Sequence, residues 1–298
     1  MRSQGLPTLE SVFCILARRA TPTNVSLLSA LAELGVEAAL LPPEAAARCT
    51  RPGDTALARI DVLETLDGIE PGLWELGRLA RRGLRVLNRP SALLATHDKL
   101  VTAIRLASGG VPHPKTAHVG GIEPLLELEP PVVVKPRFGS WGRDVILCKS
   151  RAQLARCLQK LVRRRWFRRH GALVQELVPP RGFDLRLLIA RGEVVGAVKR
   201  VSAPGDWRTN VALGGLRRSV DPPADACALA SAAAAAVEAD FVGVDLLPRP
   251  SGGYVVLELN GAVDFTEAYG LRGLDPFEEA VRVLVGVDRH QRALSVAL

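Results

Sequence analysis

Residues 243–260 read Gly-Val-Asp-Leu-Leu-Pro-Arg-Pro-Ser-Gly-Gly-Tyr-Val-Val-Leu-Glu-Leu-Asn. Two apolar runs rich in β-branched residues flank a turn built from Pro248, Pro250, Ser251, Gly252 and Gly253, which predicts a β-hairpin. Side chains alternate between faces along a strand, so Glu258 and Asn260 share one face. If Leu247 pairs with Tyr254, Asp245 falls opposite Val256 and joins them; a slip of one residue reverses it. Asp245, Glu258 and Asn260 together offer hard oxygen ligands, which suit Mg²⁺ holding phosphate. Taken alone, the same residues also describe a half-buried strand with a solvated Glu, so the rest of the chain has to decide.

The chain has 298 residues, 48% of them hydrophobic, enough for a sizeable core and for two domains or a segmented one. No apolar run approaches the length of a membrane-spanning helix. A signal peptide is not expected: the run at 12–17 is too short, and Arg18 and Arg19 follow it. Five scattered cysteines without a Cys-x-x-Cys spacing point to a reducing cytoplasm, not to a disulfide or zinc framework. A net charge of +8 asks for a polyanionic partner: nucleotide phosphates, acidic peptides or nucleic acid. The densest basic run, 163–170, reads as the solvated end of an amphipathic helix begun near Ser150, or as an electrostatic lip for an anionic substrate. Only 4% of residues are aromatic, and no zinc-finger or RNP spacing is present, which disfavours nucleic acid.

Strands at 12–17, 36–41, 56–60 and 85–88 alternate with helices at 24–34 and 71–82. That pattern predicts a small parallel α/β domain over 1–92. It lacks Gly-x-Gly-x-x-Gly after the first strand, so a dinucleotide-binding Rossmann domain is not expected. A helix over 100–107 follows, capped by Thr96 or Asp98. A strand at 116–119 and a connector at 120–131 come next. Residues 131–148 read as strand, Gly-rich turn, strand. Gly139, Ser140 and Gly142 let backbone N–H groups approach an anion, although an ordinary hairpin also fits. Lys135 ends the first of these strands. The chain holds six lysines against thirty-three arginines, so Lys99 and Lys135 hint that a compact point charge is wanted.

A strand at 173–178 carries Gln175, Glu176 and Val178. Strands 184–190 and 193–201 pair around the turn Arg191-Gly192, with Asp184 and Arg186 on one face. The loop 206–215 concentrates Arg208, Asn210 and paired glycines, a set suited to phosphate or carboxylate. An Ala-rich helix at 222–240 leads into the hairpin, and a helix at 276–285 ends the order. Antiparallel strands with inserted helices thus follow the α/β domain, which gives α/β plus α+β.

Six ordered motifs resemble the ATP-grasp superfamily, and within it the RimK-like glutamate ligases, from about Leu94 onward. They are His97-Asp98-Lys99; Val134-Lys135-Pro136 with Phe138-Gly139-Ser140-Trp141-Gly142; Gln175-Glu176; Asp184-Leu-Arg186; Asp206-Trp207-Arg208-Thr209-Asn210 with Gly214-Gly215; and Val244-Asp245 with Glu258-Leu-Asn260. The resemblance implies an ATP-grasp fold: a Rossmann-like pre-ATP-grasp domain at 1–92, a central subdomain with a Gly-rich lid at 93–175, and a C-terminal subdomain with the Mg site at 176–298. Lys99 and Lys135 would contact nucleotide phosphates beneath a lid of Gly139, Ser140 and Gly142. Gln175, Glu176 and Val178 would lie on the adenine, and Asp184, beside Arg186, on the ribose. Arg208 and Asn210 would meet the γ-phosphate or acyl phosphate, and Arg200 a substrate carboxylate. Asp245, Glu258 and Asn260 would hold two Mg²⁺ ions, or Mn²⁺.

The implied reaction is attack of a carboxylate on ATP to give an acyl phosphate, then displacement of phosphate by an amine, with glutamate the expected amino acid. Many RimK-like members follow the Glu-x-Asn pair with a Pro-Gly-containing turn. Here Asn260 is followed by Gly261-Ala-Val-Asp264-Phe265-Thr266-Glu267, a pattern closer to the lysine-biosynthesis branch, which works on a carrier protein. The basic chain suits an acidic acceptor: a peptide, a carrier protein or a cofactor. The resemblance also implies a homodimer or homotetramer. The alternative is a nucleotide-binding regulatory or interaction protein without turnover. His113, His118, His170 and His290 read as surface or structural residues.

Overall fold

The computed structural model describes residues 11–121 and 128–287. The expected N-terminal alternation is present as β1 (Phe13–Leu16), α1 (Pro22–Glu33), β2 (Ala38–Leu41), α2 (Pro43–Cys49), β3 (Thr55–Ala58), α3 (Leu73–Arg81) and β4 (Arg85–Leu87). Its strands are parallel, in the order β2-β1-β3-β4. β1 is buried along its whole length, as a parallel strand covered on both faces should be. Helix α2 was not expected. Pro42-Pro43 reads as a stop, but Pro43 stands in the first turn of a helix, where its missing N–H costs nothing.

Helices α4 (Pro90–His97) and α5 (Lys99–Ser108) carry the chain onward. Asp98, not Thr96, caps α5, accepting the Leu100 N–H at 3.1 Å. Next come β5 (Thr116–Val119), β6 (Val132–Pro136), β7 (Ile146–Cys148), α6 (Arg151–Leu161), α7 (Arg165–His170) and β8 (Ala172–Glu176). These strands form an antiparallel sheet, β5-β8-β6-β7. Part of the expected connector at 120–131 lies outside the described residues, as does His290.

The single helix expected from Ser150 through the basic run is two helices. α6 ends at Leu161, and α7 turns Trp166 and Phe167 into the core beside Leu158 and Leu161. On its other side Arg165 and Arg169 reach Asp67 at 3.2 and 2.9 Å. Leu66 is buried in the same core. The basic run therefore helps fasten a loop of the first domain to the central sheet.

The third sheet comprises β9 (Phe183–Ala190), β10 (Glu193–Val201), β11 (Leu216–Ser219), β12 (Phe241–Pro248) and β13 (Tyr254–Asn260). Its order is β11-β10-β9-β12-β13. Helix α8 (Ala224–Ala236) covers one face, packing Ala226, Ala230 and Ala233 on Leu185, Leu187, Val242 and Val244. On the other face Leu188, Val198 and Phe241 share a core with Phe13, Ile15 and Leu57 of the first domain and with α9 (Pro276–Val285).

The expected hairpin register is corrected. Leu247 pairs with Val255 and Pro248 with Tyr254. A bulge between Asp245 and Leu246 then sets Asp245 opposite Glu258. The extra residue is Leu257 on β13; without it Asp245 would fall opposite Leu257, and Glu258 would turn to the α8 side with Val256.

Candidate active site

Charged side chains line the face of the third sheet that α8 does not cover. Register sets Arg200 opposite Asp184 and Arg217, and Asp245 opposite both Arg186 and Glu258. Arg200 donates from Nε and Nη2 to Asp184 at 2.7 and 2.5 Å, and from Nη2 to Asp245 at 2.6 Å. Arg186 clamps Asp245 through Nε and Nη2 at 2.6 and 2.7 Å. The Thr209 hydroxyl donates to Asp184 at 2.5 Å. Asp184 is 0% exposed and Asp245 1%, and buried carboxylates persist only when paired and hydrogen-bonded. Burial resists ionising both. At Asp245 two guanidinium groups outweigh it and hold the carboxyl below its ordinary range. At Asp184, with Arg200 alone, burial prevails and pushes the carboxyl up.

Glu258 is different. Its side chain is 25% exposed and meets the Lys99 ammonium at 3.7 Å. Lys99 Nζ also donates to the Gly139 carbonyl at 2.5 Å. Lys99 begins α5 beside the Asp98 cap, and Arg137 holds that cap with two bonds of 2.6 Å. On β6, Lys135 Nζ donates to Gln175 Oε1 at 2.8 Å. Burial pushes this ammonium down to about 8, against the pull of Glu258. His97 is buried as well, and burial drives its imidazole down to about 4, so it is neutral at pH 7.

A cleft of about 1030 Å³ opens between the two antiparallel sheets. Every site residue expected from the sequence lines it except Arg186 and Asn260. Those two line a second cavity of about 1020 Å³, which shares Lys99, Gly139, Ser140, Arg200, Asn210 and Glu258 with the first. Val133, Phe183, Leu247 and Leu257 give the first cleft apolar walls beside its two lysines. Apolar walls with few placed charges suit a base carrying phosphates. The Gly-rich loop stands over both cavities. Trp141 and Gly142 adopt positive φ of 58° and 70°. A Cβ on Gly142 would lie 3.0 Å from Asn210 Oδ1, so this glycine serves both a left-handed turn and a close approach.

Some expected roles meet competition. Arg208 lines the cleft, but Asp206 accepts from its Nε at 3.1 Å and its Nη2 at 2.9 Å. Asp184 and Arg200 are engaged with each other, so any ligand contact competes with existing bonds. Sequence reasoning assigned no role to Trp141 or Thr209, although both sit inside recognised motifs. It missed Arg137 and Arg217, which sheet pairing and a long-range ion pair bring in and which carry no local signal. Among the described histidines outside the motifs, His118 and His170 each bond a backbone carbonyl, of His170 and Asp67 respectively.

The oxygen set fits a magnesium ion. A carboxylate has about four acceptor positions. Arginines fill three on Asp245, which leaves one on Oδ1. Asn260 Oδ1 accepts the Ala262 N–H at 3.2 Å and keeps a lone pair. Among the described residues no three His, Cys, Asp or Glu side chains form a metal cluster. Magnesium is usually held by one or two carboxylates together with substrate phosphates, not by an all-protein cage.

Residues 89–282 match the RimK-like ATP-grasp domain. The chain is 29% identical over 221 residues to a glutamate–LysW ligase ArgX of Sulfurisphaera tokodaii, covering 72% of this chain and 78% of that one. It is 34% identical over 200 residues to human beta-citrylglutamate synthase B, covering 64% of this chain and 50% of that one. It therefore spans about half the length of the human relative. A RimK domain ATP-grasp protein from Sphaerobacter thermophilus shares the fold. The match covers 93% of this chain and 100% of that one, with a TM-score of 0.66 and 24% identity.

Proposed function

This chain belongs to the RimK-like ATP-grasp family of carbon–nitrogen ligases, and from that premise we propose that it joins a carboxylate of an acidic acceptor to the amine of glutamate or a related amino acid. The observation that carries the reading is the gathering of the motif residues along one cleft with a Gly-rich cover. ATP lies in that cleft with its base against Val133, Leu247 and Leu257 and its phosphates toward Lys99 and Lys135. Asp245, Glu258 and Asn260 hold Mg²⁺, two ions with Mn²⁺ as substitute, which neutralises phosphate charge when bound.

In the first step an acceptor carboxylate oxygen attacks the γ-phosphorus and ADP leaves. In the second the amine nitrogen attacks the acyl carbon, phosphate leaves, and the amine gives up a proton. Such transfers need alignment and charge neutralisation more than a protein nucleophile. Lys99 and Lys135 supply fixed cations, Gly139 to Gly142 exclude water, and the Asp184–Arg200–Asp245–Arg186 row keeps the floor rigid.

The acceptor is an acidic peptide, carrier protein or cofactor. Arg186, Arg200 and Arg217 all line the second cavity, which suits carboxylates. The test is phosphate release from ATP and Mg²⁺ with single amino acids, with and without cell extract, followed by mass analysis of the extract. Phosphate release that depends on an amino acid, with a matching mass gain on one acceptor, supports the reading. Failure to bind ATP or ADP contradicts it.

A further inference from the structure

The second cavity is lined by Lys99, Arg186, Arg200 and Arg217. Arg186 and Arg200 are balanced by Asp184 and Asp245, and Lys99 meets Glu258. The other acids on its walls, Asp61 and Asp264, lie on the side of the first domain. There Asp264 meets Arg59 at 3.3 Å, and Arg59 keeps its Nη1 sealed in the core without a partner among the described residues. Arg217 has neither a hydrogen bond nor an ion pair among the described residues. It lines the second cavity but not the cleft assigned to the nucleotide.

Strand pairing places this free cation. β11 is an edge strand, exposed at every residue, and register sets Arg217 opposite Arg200. Like charges directly opposite on neighbouring strands repel. Arg200 is neutralised by Asp184 and Asp245; Arg217 is not, and an anion in the cavity would relieve the repulsion. Arg217 and Ser219 are two apart and share a face. The Ser219 hydroxyl donates to the Ala268 carbonyl at 3.3 Å, which ties β11 to the short helical turn Glu267–Tyr269.

Tyr269 is the second observation. It is 1% exposed, with its ring edge-to-face on Phe265. Its hydroxyl has no hydrogen-bond partner among the described residues, yet unlike Arg59 Nη1 it is not sealed, and it opens onto the second cavity. Buried tyrosine hydroxyls usually have a partner. A fixed O–H donor beside an unpaired guanidinium suits a carboxylate. The reacting carboxylate belongs where the two cavities meet, at Lys99, Asn210 and Glu258. The carboxylate that Arg217 and Tyr269 suit is therefore another one. β11 is the exposed side of this cavity, with Leu216 60% exposed, and there the body of a large acceptor has room to leave.

We propose that Arg217 and Tyr269 hold a second carboxylate of the acceptor, so that the enzyme takes acceptors whose reactive end is a dicarboxylate and activates one of the two acids. This rests on the ligase reading above and adds to it the chemical class of the acceptor end and the residues that select it.

The test is calorimetric binding to the full chain in the presence of ADP and Mg²⁺. The probes are succinate, glutarate and N-acetylglutamate, each beside its monoamide. Native protein should bind at least one diacid about tenfold tighter than its monoamide, as expected for one charged hydrogen-bonded contact. Arg217→Gln should erase that preference and keep its affinity for ADP with Mg²⁺. Tyr269→Phe removes a hydroxyl that bonds nothing in the free protein, so it should weaken the diacid about threefold with an unchanged thermal midpoint. No diacid bound, diacid and monoamide bound alike, or either variant binding the diacid as native protein does would overturn the inference. So would a loss in Arg217→Gln confined to free glutamate, which would assign the pair to the amine substrate. If native protein fails to bind ADP with Mg²⁺, the ligase reading falls and takes this inference with it.

Discussion

Asp245 and Glu258 stand opposite each other on neighbouring strands, yet their surroundings are opposed. Asp245 is enclosed and gripped by two arginines. Glu258 is partly open and meets one lysine at 3.7 Å. The first carboxylate is largely spent on the protein and fixes the sheet's floor. The second has most of its acceptor capacity left for a ligand. Two acids on one face, chemically alike, are thus divided between rigidity and chemistry by what faces them: arginines from β9 and β10 for one, a lysine from α5 for the other.

The largest effect expected from that division is on turnover. Glu258→Gln should lower phosphate release by about a thousandfold, as losing a charge-stabilising group at a reacting centre does. Its thermal midpoint should stay near that of the native protein, and a large drop would mean that Glu258 is structural too. Asp245→Asn should show the reverse emphasis. Removing one partner of a buried ion-pair network costs about 3–5 kcal/mol, because Arg186 and Arg200 would remain buried with less compensation. Urea denaturation would measure it, and a neutral result would erase the contrast between the two acids.

Lys135 supplies a pH test. Burial has lowered its ammonium to about 8, so the cation is present below that pH and lost above it. ADP affinity should therefore fall as pH rises from 7 to 9, by at most about tenfold per unit for one proton. Lys135→Arg should flatten that slope. A flat profile in the native protein would show that Lys135 does not meet phosphate. The smallest effect belongs to the distant clasp on Asp67. Arg169→Ala should cost no more than about 1 kcal/mol, since its side chain is half exposed. A larger loss in urea denaturation would make that contact part of the core.

Much of this was legible in the sequence. Alternation of apolar runs gave the parallel domain, and paired strands around Arg191-Gly192 and the Pro/Gly turn gave the antiparallel sheet. The motif residues do gather along one cleft and its neighbour. The rest depended on long-range geometry. The bulge opposite Asp245 inserts Leu257 into β13 without any Gly or Pro to announce it, so alternation gave the right face through the wrong register. Helix α2 hid behind a proline pair that reads as a break. α7 hid inside a run of arginines, because its two inward aromatics matter more than its charges. Arg59 and Arg217 look like any other arginines in an arginine-rich chain. Only strand order and pairing show that one is buried with an unpaired nitrogen and that the other faces Arg200.

A crystal structure with ADP and Mn²⁺, whose anomalous scattering locates the ion, tests the division between Asp245 and Glu258 most directly. The ion should sit about 2.1 Å from oxygens of Glu258 and Asn260, with Lys99 turned from Glu258 to the diphosphate and Asp245 still held by Arg186. An ion bound elsewhere, with Glu258 left on Lys99, would contradict it.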